Sequence, residues 1–245
     1  GIIHQRVGQW IQVAIGIREW RPDNCVGQMR LDGCNADCDL PDMTIAEARA
    51  AGAQTVVVGV ANRGGVIADS WIKVLTEALD AGMDVAAGLH NRLNDVPELT
   101  AAAERNGCTL HDVRHPTETF KVGNGIRRSG KRLLAVGTDC SCGKMYTTLA
   151  IEKEMQDRGI QADFCATGQT GILICGSGVS IDAVVSDFIS GAVEAMTPDA
   201  APEHWDIIEG QGSLFHASYA GVTTGLIHGS QADALVLCHE PTREH

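Results

Sequence analysis

Residues 133–148 read LLAVGTDCSCGKMYTT, and this stretch does most to decide the fold. The apolar run at residues 133–136 predicts a buried strand. The glycine-rich segment after it predicts a tight turn, and residues 146–158 are expected to form a helix. In such an arrangement backbone N–H groups point into the turn and bind anionic oxygens, helped by the positive end of the helix dipole. Lys144 adds a positive charge near the outer phosphates. The stretch therefore predicts a phosphate-binding loop for a phosphorylated ligand.

The predicted loop has nine residues that we expect to contact the ligand. They are Gly137, Thr138, Asp139, Cys140, Ser141, Cys142, Gly143, Lys144 and Met145. The common form of such a loop is G-x-x-x-x-G-K-[ST], in which the final hydroxyl binds magnesium. Here Thr138 takes the place of the first glycine and Met145 takes the place of the hydroxyl residue. Because a thioether is a poor ligand for a hard cation, we expect no protein-bound metal and no essential magnesium.

The composition limits the class of protein. The chain has 245 residues, with 19 Lys and Arg against 31 Asp and Glu, for a net charge of −12. An acidic surface argues against nucleic acid and anionic membranes as partners and leaves a small-molecule substrate. No apolar run approaches membrane-spanning length, and no leader is apparent. The nine cysteines are an odd number, which favours reduced thiols in a cytoplasmic protein.

Strands alternate with helices along the chain. The predicted strands are residues 55–60, 84–87, 133–136, 162–166, 205–208 and 234–238, and the predicted helices are residues 44–52, 70–81, 97–106 and 146–158. This order is typical of α/β folds with mostly parallel sheets. Residues 114–130 are rich in Pro, Gly and charge, and they predict a linker between two domains, residues 1–120 and 121–245. Residues 1–15 show no clear first strand.

Ligands of parallel sheets bind beyond the carboxyl ends of the strands, and five strand ends here are followed by polar or glycine-rich loops. The loops are residues 61–65, 88–92, 167–171, 209–213 and 239–243. Small residues with single polar side chains suit the close approach of a ligand. The candidate substrate-binding residues are Asn62, Arg63, Gln169, Thr170, Gln211, Ser213 and Arg243.

Three residues are candidates for acid–base chemistry. Glu209 follows an apolar strand and is flanked by glycine, which suits a general base or a magnesium ligand. Asp139 lies inside the phosphate loop, where its carboxylate would have to face a substrate amine, a metal or Lys144. His216 is a further candidate base, with a buried histidine of purely structural role as the alternative.

Several longer motifs closely resemble the D-glutamate N-acetyltransferase family, long catalogued as a domain of unknown function. In the second half they are GTDCSCGK, ATGQTGILI, DAVVSDFISGAVE and EGQGSLFHASYAGVTTGLIHGSQADALVLCHEPTR. In the first half they are WRPDNCVGQMRLDG, LPDMTIAEA, VGVANRGG and HDVRHP. The resemblance implies an N-terminal Rossmann-like α/β domain and a C-terminal P-loop NTPase-like parallel-sheet domain similar to dethiobiotin synthetase. Family members generally continue beyond HEPTR, which implies that the second domain is truncated here.

The resemblance implies an acyltransferase that binds acetyl-CoA as co-substrate and acetylates the amino group of D-glutamate in D-amino-acid catabolism. A phosphate loop can hold the pyrophosphate or the ribose phosphate of CoA without magnesium chemistry. Backbone amides near residues 168–171 or 210–213 are candidate donors to the developing oxyanion. A homo-oligomer is also expected. Two other classes stay open: an ATP- and magnesium-dependent ligase or kinase resembling dethiobiotin synthetase, and a non-catalytic nucleotide-binding protein.

Overall fold

The computed structural model describes residues 2–3, 12–60 and 67–242. The chain forms two compact units, residues 1–115 and residues 116–245, and each has its own parallel β-sheet. The predicted domain boundary between residues 120 and 121 stays a prediction. None of the helices in the described ranges combines the length and the hydropathy needed to cross a membrane.

The first unit is built around a five-stranded, all-parallel sheet with the strand order β2-β1-β3-β4-β5. The strands are β1 (Ile2–Ile3), β2 (Met29–Arg30), β3 (Thr55–Val58), β4 (Asp84–Ala87) and β5 (Leu110–Asp112), and the helices are α1 (Gln12–Trp20), α2 (Ile45–Ala50), α3 (Asp69–Asp80) and α4 (Pro97–Asn106). Because β1 pairs with both β2 and β3, the expectation that residues 1–15 lack a first strand is wrong. A two-residue strand is too short to show the alternation that identifies strands in a sequence.

Local sequence signals set the helix ends of the first unit. Thr44 and Glu47 form a capping box at the start of α2, so two N–H groups that the helix leaves unpaired gain partners. α4 begins at Pro97, whose missing N–H costs nothing there, and ends at Gly107 in the left-handed conformation with φ 65°. α3 buries one face in the core, formed by Trp71, Leu75, Ala78 and Leu79.

The second unit is built around a four-stranded, all-parallel sheet with the strand order β7-β8-β6-β9. The strands are β6 (Lys131–Gly137), β7 (Ala162–Cys165), β8 (Trp205–Ile208) and β9 (Ala234–Cys238), and the helices are α5 (Lys144–Asp157), α6 (Gln169–Cys175), α7 (Ile189–Met196) and α8 (Ala220–Ser230). β6 lies between β8 and β9, so the phosphate loop that follows it has a strand end on either side.

Alternate residues of the strands pack into two separate layers in the second unit. Leu133 and Ile207 lie in a cluster with Met155 of α5. Leu134 and Ile208, each the next residue along its strand, lie in the cluster that contains α7 and α8. Because successive side chains of a strand point to opposite faces, α5 covers one face of the sheet and α7 with α8 covers the other.

Three helices of the second unit lie where the sequence analysis predicted none. They are α6, α7 and α8. Residues 167–171 were expected to form a loop at the end of β7, but α6 already begins at Gln169. The turn between β7 and α6 is therefore only Ala166, Thr167 and Gly168, because the glycine-rich sequence that follows continues as a helix.

The predicted linker, residues 114–130, is packed against the second unit from Phe120 onward. The Glu194 carboxylate of α7 accepts hydrogen bonds from the N–H groups of Asn124 (3.0 Å) and Gly125 (2.9 Å). Arg128 donates from Nε to the Thr197 carbonyl at 2.6 Å. This part of the segment is therefore held against the second unit by specific polar contacts.

Candidate functional site

The loop between β6 and α5 has the backbone shape of an anion-binding turn. β6 ends at Gly137 and α5 begins at Lys144. Between them, Ser141 and Gly143 adopt the left-handed conformation, with φ of 54° and 93°. A turn that includes left-handed residues brings successive N–H groups to one side, where an anion is bound. The start of α5 adds the positive end of its dipole to the same place.

Lys144 is held across this turn by carbonyl groups. Its side chain is buried, with 5% exposed, and Nζ donates to the carbonyl oxygens of Asp139 and Gly212, each at 2.9 Å. The Cys142 sulfur lies 3.8 Å from Nζ. An anionic oxygen forms a stronger hydrogen bond with an ammonium than a neutral carbonyl does, so an incoming phosphate has a preformed partner here.

Gly137, the first residue of the loop, is packed too tightly to carry a side chain. It lies one residue before the first glycine of the common motif. A Cβ at Gly137 would lie 2.6 Å from Cys142 Sγ and 2.9 Å from Lys144 Nζ. Thr138, which replaces the usual first glycine, is hydrogen-bonded through Oγ1 to Nδ1 of His239 at 2.8 Å. The loop is therefore packed tightly on the inside and tied to the end of β9.

The threonine hydroxyl groups that follow Met145 are hydrogen-bonded within the protein. Thr148 is fully buried, and its hydroxyl donates to the carbonyls of Lys144 (3.0 Å) and Met145 (2.8 Å). The Thr147 hydroxyl accepts from the Cys238 thiol at 3.5 Å. Over the described ranges, no group of three or more His, Cys, Asp or Glu residues is arranged to hold a metal ion.

Glu209 follows β8 and lies at the centre of a buried hydrogen-bond network. Its side chain is 3% exposed. Oε2 accepts from the N–H groups of Thr167 (2.8 Å) and Gly168 (3.0 Å), and Oε1 accepts from Nε2 of Gln211 (3.1 Å). Burial raises the pKa of Glu209 to about 7, although these hydrogen bonds and the charge of Lys144 lower it. The carboxyl group can therefore exchange a proton near neutral pH, which suits a general base.

The segment from Gln211 to Ser213 is fixed on both sides. The Gln211 carbonyl accepts from the Thr223 hydroxyl at 2.8 Å, and Gly212 has a left-handed φ of 71°. Ser213 is fully buried; its hydroxyl donates to the Thr138 carbonyl (3.0 Å) and accepts from the His216 N–H (3.1 Å). These contacts hold the end of β8 beside the phosphate loop.

The sequences of both units match family models. Residues 121–245 match the model described as the domain of unknown function DUF1611_C, a P-loop domain. Residues 25–116 match its counterpart DUF1611_N, a Rossmann-like domain. The chain belongs to the DUF1611 family. The predicted Rossmann-like and P-loop fold classes are thereby confirmed.

Relatives within the DUF1611 family confirm the resemblance read from the sequence motifs. A protein from Tritonibacter scottomollicae named D-glutamate N-acetyltransferase is 62% identical over 234 residues, which are 96% of this chain and 70% of that protein. A protein of the same name from Pseudoalteromonas sp is 51% identical over 235 residues, 96% of this chain and 71% of that one. The crystal structure of a DUF1611 family protein from Anabaena variabilis superposes with a TM-score of 0.84 at 33% identity, covering 97% of this chain and 72% of that one.

The two other candidate bases of this DUF1611 protein are engaged differently from Glu209. His216 is exposed and its ring lies 4.6 Å from that of Tyr219, so the alternative of a buried histidine is wrong. Its Nδ1 accepts a hydrogen bond from the Ser218 N–H at 3.2 Å. A neutral ring bound in this way carries its proton on Nε2, so neither ring nitrogen is left to accept a proton from a substrate. Asp139 accepts the N–H of Cys140 at 2.7 Å.

The predicted substrate-binding residues fall into three groups. Gln169 and Thr170 form the first turn of α6, whereas Gln211 donates to Glu209 and Ser213 donates to the Thr138 carbonyl in the phosphate loop. Asn62, Arg63 and Arg243 lie outside the described residues.

Two residues at this site were not predicted from the sequence. Thr167 donates from its hydroxyl to the Glu209 carbonyl at 2.7 Å, and His239 pairs with Thr138. Both directly follow predicted strands, and that position was the only signal available for them.

Proposed function

We propose that the chain is an N-acetyltransferase that transfers the acetyl group of acetyl-CoA to the amino group of D-glutamate. The proposal is carried by the 62% identity, over 96% of this chain, to a protein named D-glutamate N-acetyltransferase. The phosphate loop supports it, because CoA presents a pyrophosphate and a ribose phosphate. Met145 and the buried hydroxyl of Thr148 disfavour magnesium-assisted hydrolysis of a nucleotide.

The reaction needs a proton acceptor beside the amine. The nitrogen lone pair attacks the thioester carbonyl, an N–H proton passes to the base, and the carbon–sulfur bond breaks to release CoA, whose sulfur takes up a proton. Of the three candidate bases, the raised pKa of Glu209, about 7, favours that residue. One lone pair of its Oε1 is left over after the hydrogen bond from Gln211.

The developing oxyanion needs donors that are not already used. The N–H of Gly168 donates to Glu209 and is therefore unsuitable. In α6 the first intrahelical hydrogen bond runs from the Ile172 N–H to the Gly168 carbonyl at 3.0 Å. The N–H groups of Gln169, Thr170 and Gly171 precede it and are the donors that we propose.

The remaining substrate contacts are proposed from residue type. Arg63 and Arg243 suit the two carboxylates of D-glutamate, because a guanidinium pairs with a carboxylate through two parallel hydrogen bonds. Asn62, Gln169, Thr170 and Gln211 supply neutral polar contacts. For Ser213 we propose a structural role, since its buried hydroxyl is already saturated by the contacts at the end of β8.

The test is a thiol-release assay with acetyl-CoA and D-glutamate, run beside L-glutamate and in the presence of a metal chelator. We expect release with D-glutamate only, insensitive to the chelator. Lys144→Ala is expected to raise KM for acetyl-CoA strongly. Lys153→Ala is the matched control, because Lys153 lies on the same helix but its side chain is exposed and pairs with Asp157.

Three results would overturn the proposal. One is ADP formation from MgATP without thiol release, which would favour the ligase or kinase reading. Another is ligand binding without any turnover, which would favour a nucleotide-binding protein. The third is equal loss of activity in Lys144→Ala and Lys153→Ala, which would remove the phosphate loop from the reaction.

A further inference from the structure

The side-chain amide of Gln211 is oriented by the Glu209 carboxylate, which can only accept hydrogen bonds when it is ionised. Its Nε2 donates to Oε1 of Glu209 at 3.1 Å. The other oxygen of Glu209 already accepts two backbone N–H groups. Because an ionised carboxylate has no proton to donate, Gln211 must turn its NH₂ group toward Glu209 and its carbonyl oxygen away from it.

The outward carbonyl oxygen of Gln211 is available to a ligand. Among the described residues, none donates a hydrogen bond to this Oε1, and the atom is not sealed from solvent. The residue as a whole is half-buried. A fixed acceptor of this kind takes a hydrogen-bond donor and offers nothing to a ligand oxygen that lacks a hydrogen.

The contact between Gln211 and Glu209 is rigid and lies beside the phosphate loop. A Cβ at Gly168 would come within 2.5 Å of Gln211 Nε2, so the amide packs directly over this glycine, and a side chain there would displace it. The backbone of Gln211 is held by Thr223, and the next carbonyl, that of Gly212, accepts from Lys144 at 2.9 Å. The acceptor oxygen is therefore carried by a backbone segment that Thr223 and Lys144 hold in place.

We propose that Gln211 is the specificity-determining residue that selects an amine as the acetyl acceptor, with Glu209 fixing the orientation of its amide. This inference rests on the proposed function. An attacking primary amine gives one N–H to the base and still has a second for Gln211 Oε1. An alcohol gives its single O–H to the base and has none left, so it leaves the Gln211 acceptor unpaired.

The first variant to test is Gln211→Met, which keeps the length of the side chain and removes the acceptor. D-Glutamate binds with its amino group protonated before it is deprotonated for attack, so the loss of this acceptor for an ammonium predicts a rise in KM for D-glutamate of about 10- to 100-fold. KM for acetyl-CoA should change by less than about twofold. Gln161→Met is the matched control, because Gln161 is exposed and its side chain has no place in this network.

The second readout uses the unmodified chain and needs no variant to fold. D-2-hydroxyglutarate differs from D-glutamate only in carrying a hydroxyl in place of the amine. As a competitive inhibitor it is expected to bind at least about 10-fold more weakly than D-glutamate. In Gln211→Met the ratio of the two affinities is expected to be smaller.

The outcomes separate the two proposals. No acetyl transfer by the unmodified chain overturns the proposed function and this inference with it. Transfer to D-glutamate, with KM values for both substrates unchanged or equally raised in Gln211→Met, overturns the role of Gln211 alone. Equal affinity of the unmodified chain for the amino and hydroxy compounds also overturns it.

Discussion

At the scale of single residues, Glu209 combines two opposing influences. The N–H groups of Thr167 and Gly168 stabilise its charged form, whereas burial destabilises it, and burial dominates. A carboxylate of this kind is held in place as firmly as a structural residue and yet exchanges its proton near neutral pH. Its environment therefore links the stability of the second unit to the protonation state that the proposed reaction requires.

This link predicts a dependence of stability on pH. The pKa of Glu209 in the folded protein is about 7, above its ordinary value of 4.5, so the folded state binds the proton more tightly than the unfolded chain. The resulting stabilisation is present below pH 4.5 and is lost as the pH rises through about 7. Between pH 5 and pH 8 the free energy of unfolding should therefore fall by roughly 2 to 3 kcal/mol relative to Glu209→Gln, which stays neutral.

Urea unfolding at each pH measures this difference, since other titrating groups are common to both proteins. Glu154→Gln is the control, because Glu154 is exposed and its ion pair is with Arg158, which directly follows α5. A constant difference between wild type and Glu209→Gln across the range would contradict the raised pKa.

A second prediction concerns the glycine beside the carboxylate. A Cβ at Gly171 would lie 2.4 Å from Glu209 Oε2 and 3.2 Å from the Ala166 Cβ. Alanine is favoured over glycine in a helix by about 1 kcal/mol, but here the clash with a buried carboxylate outweighs that gain. Gly171→Ala should lower the melting temperature and abolish acetyl transfer.

Gly221→Ala is the matched comparison on α8. A Cβ there meets nothing within 4 Å, so this substitution should leave activity unchanged and raise stability by about 0.5 to 1 kcal/mol. Equal effects of the two substitutions would show that Gly171 is not packed against Glu209.

At the scale of elements, the helices and strands that could be predicted are those whose ends are marked by residues close by in the sequence. α4 and the strands β4, β8 and β9 begin and end at the predicted residues, because apolar runs or caps bound them. α6, α7 and α8 were missed because glycines interrupt them. In these helices glycine allows close packing: a Cβ at Gly191 would lie 1.8 Å from the Lys121 carbonyl, and one at Gly225 2.5 Å from an Ile189 methyl group.

The candidate site shows the same division between local and distant signals. The phosphate loop and Glu209 could be predicted because each follows a recognisable strand. The partners of Glu209 could not, since Thr167 and Gly168 reach it from the end of another strand. A linear pattern contains no information on which strands become neighbours in the sheet.

A prediction at this scale concerns the segment before β6. Glu194 of α7 accepts the N–H groups of Asn124 and Gly125, two of the contacts that hold that stretch. Glu194→Ala should release it and speed tryptic cleavage after Lys121 and Arg127, followed by mass spectrometry of the fragments. Glu154→Ala, which removes an exposed carboxylate from α5, should leave the cleavage rate unchanged; equal rates in both variants would show that the segment is held by other contacts.

At the scale of the whole molecule, the net charge of −12 opposes the approach of a polyanion such as CoA. The attraction of the phosphate loop acts only at short range, since the charge of Lys144 is almost completely buried. Salt weakens long-range repulsion between exposed charges more than it weakens contacts inside a pocket.

The proposed homo-oligomer stays a prediction that light scattering can test.

We therefore expect kcat/KM for acetyl-CoA to rise when the salt concentration increases from about 10 to 150 mM, over which the screening length shortens severalfold. Acetylpantetheine, an acyl donor without phosphates, should show little dependence on salt. A fall in kcat/KM for acetyl-CoA over this range would show that the local field around the site is attractive and dominates.

The position of β6 in the sheet has a consequence for the synthesis of the chain. β6 is the first of the four strands of its sheet to leave the ribosome, yet its two neighbours, β8 and β9, are the third and the fourth. A nascent chain that has not reached Trp205 therefore carries the complete phosphate-loop sequence on a strand with no partner. Its apolar residues stay open to wrong pairing until β8 and β9 have been synthesised, and chaperones that shield such strands should determine the yield of folded protein.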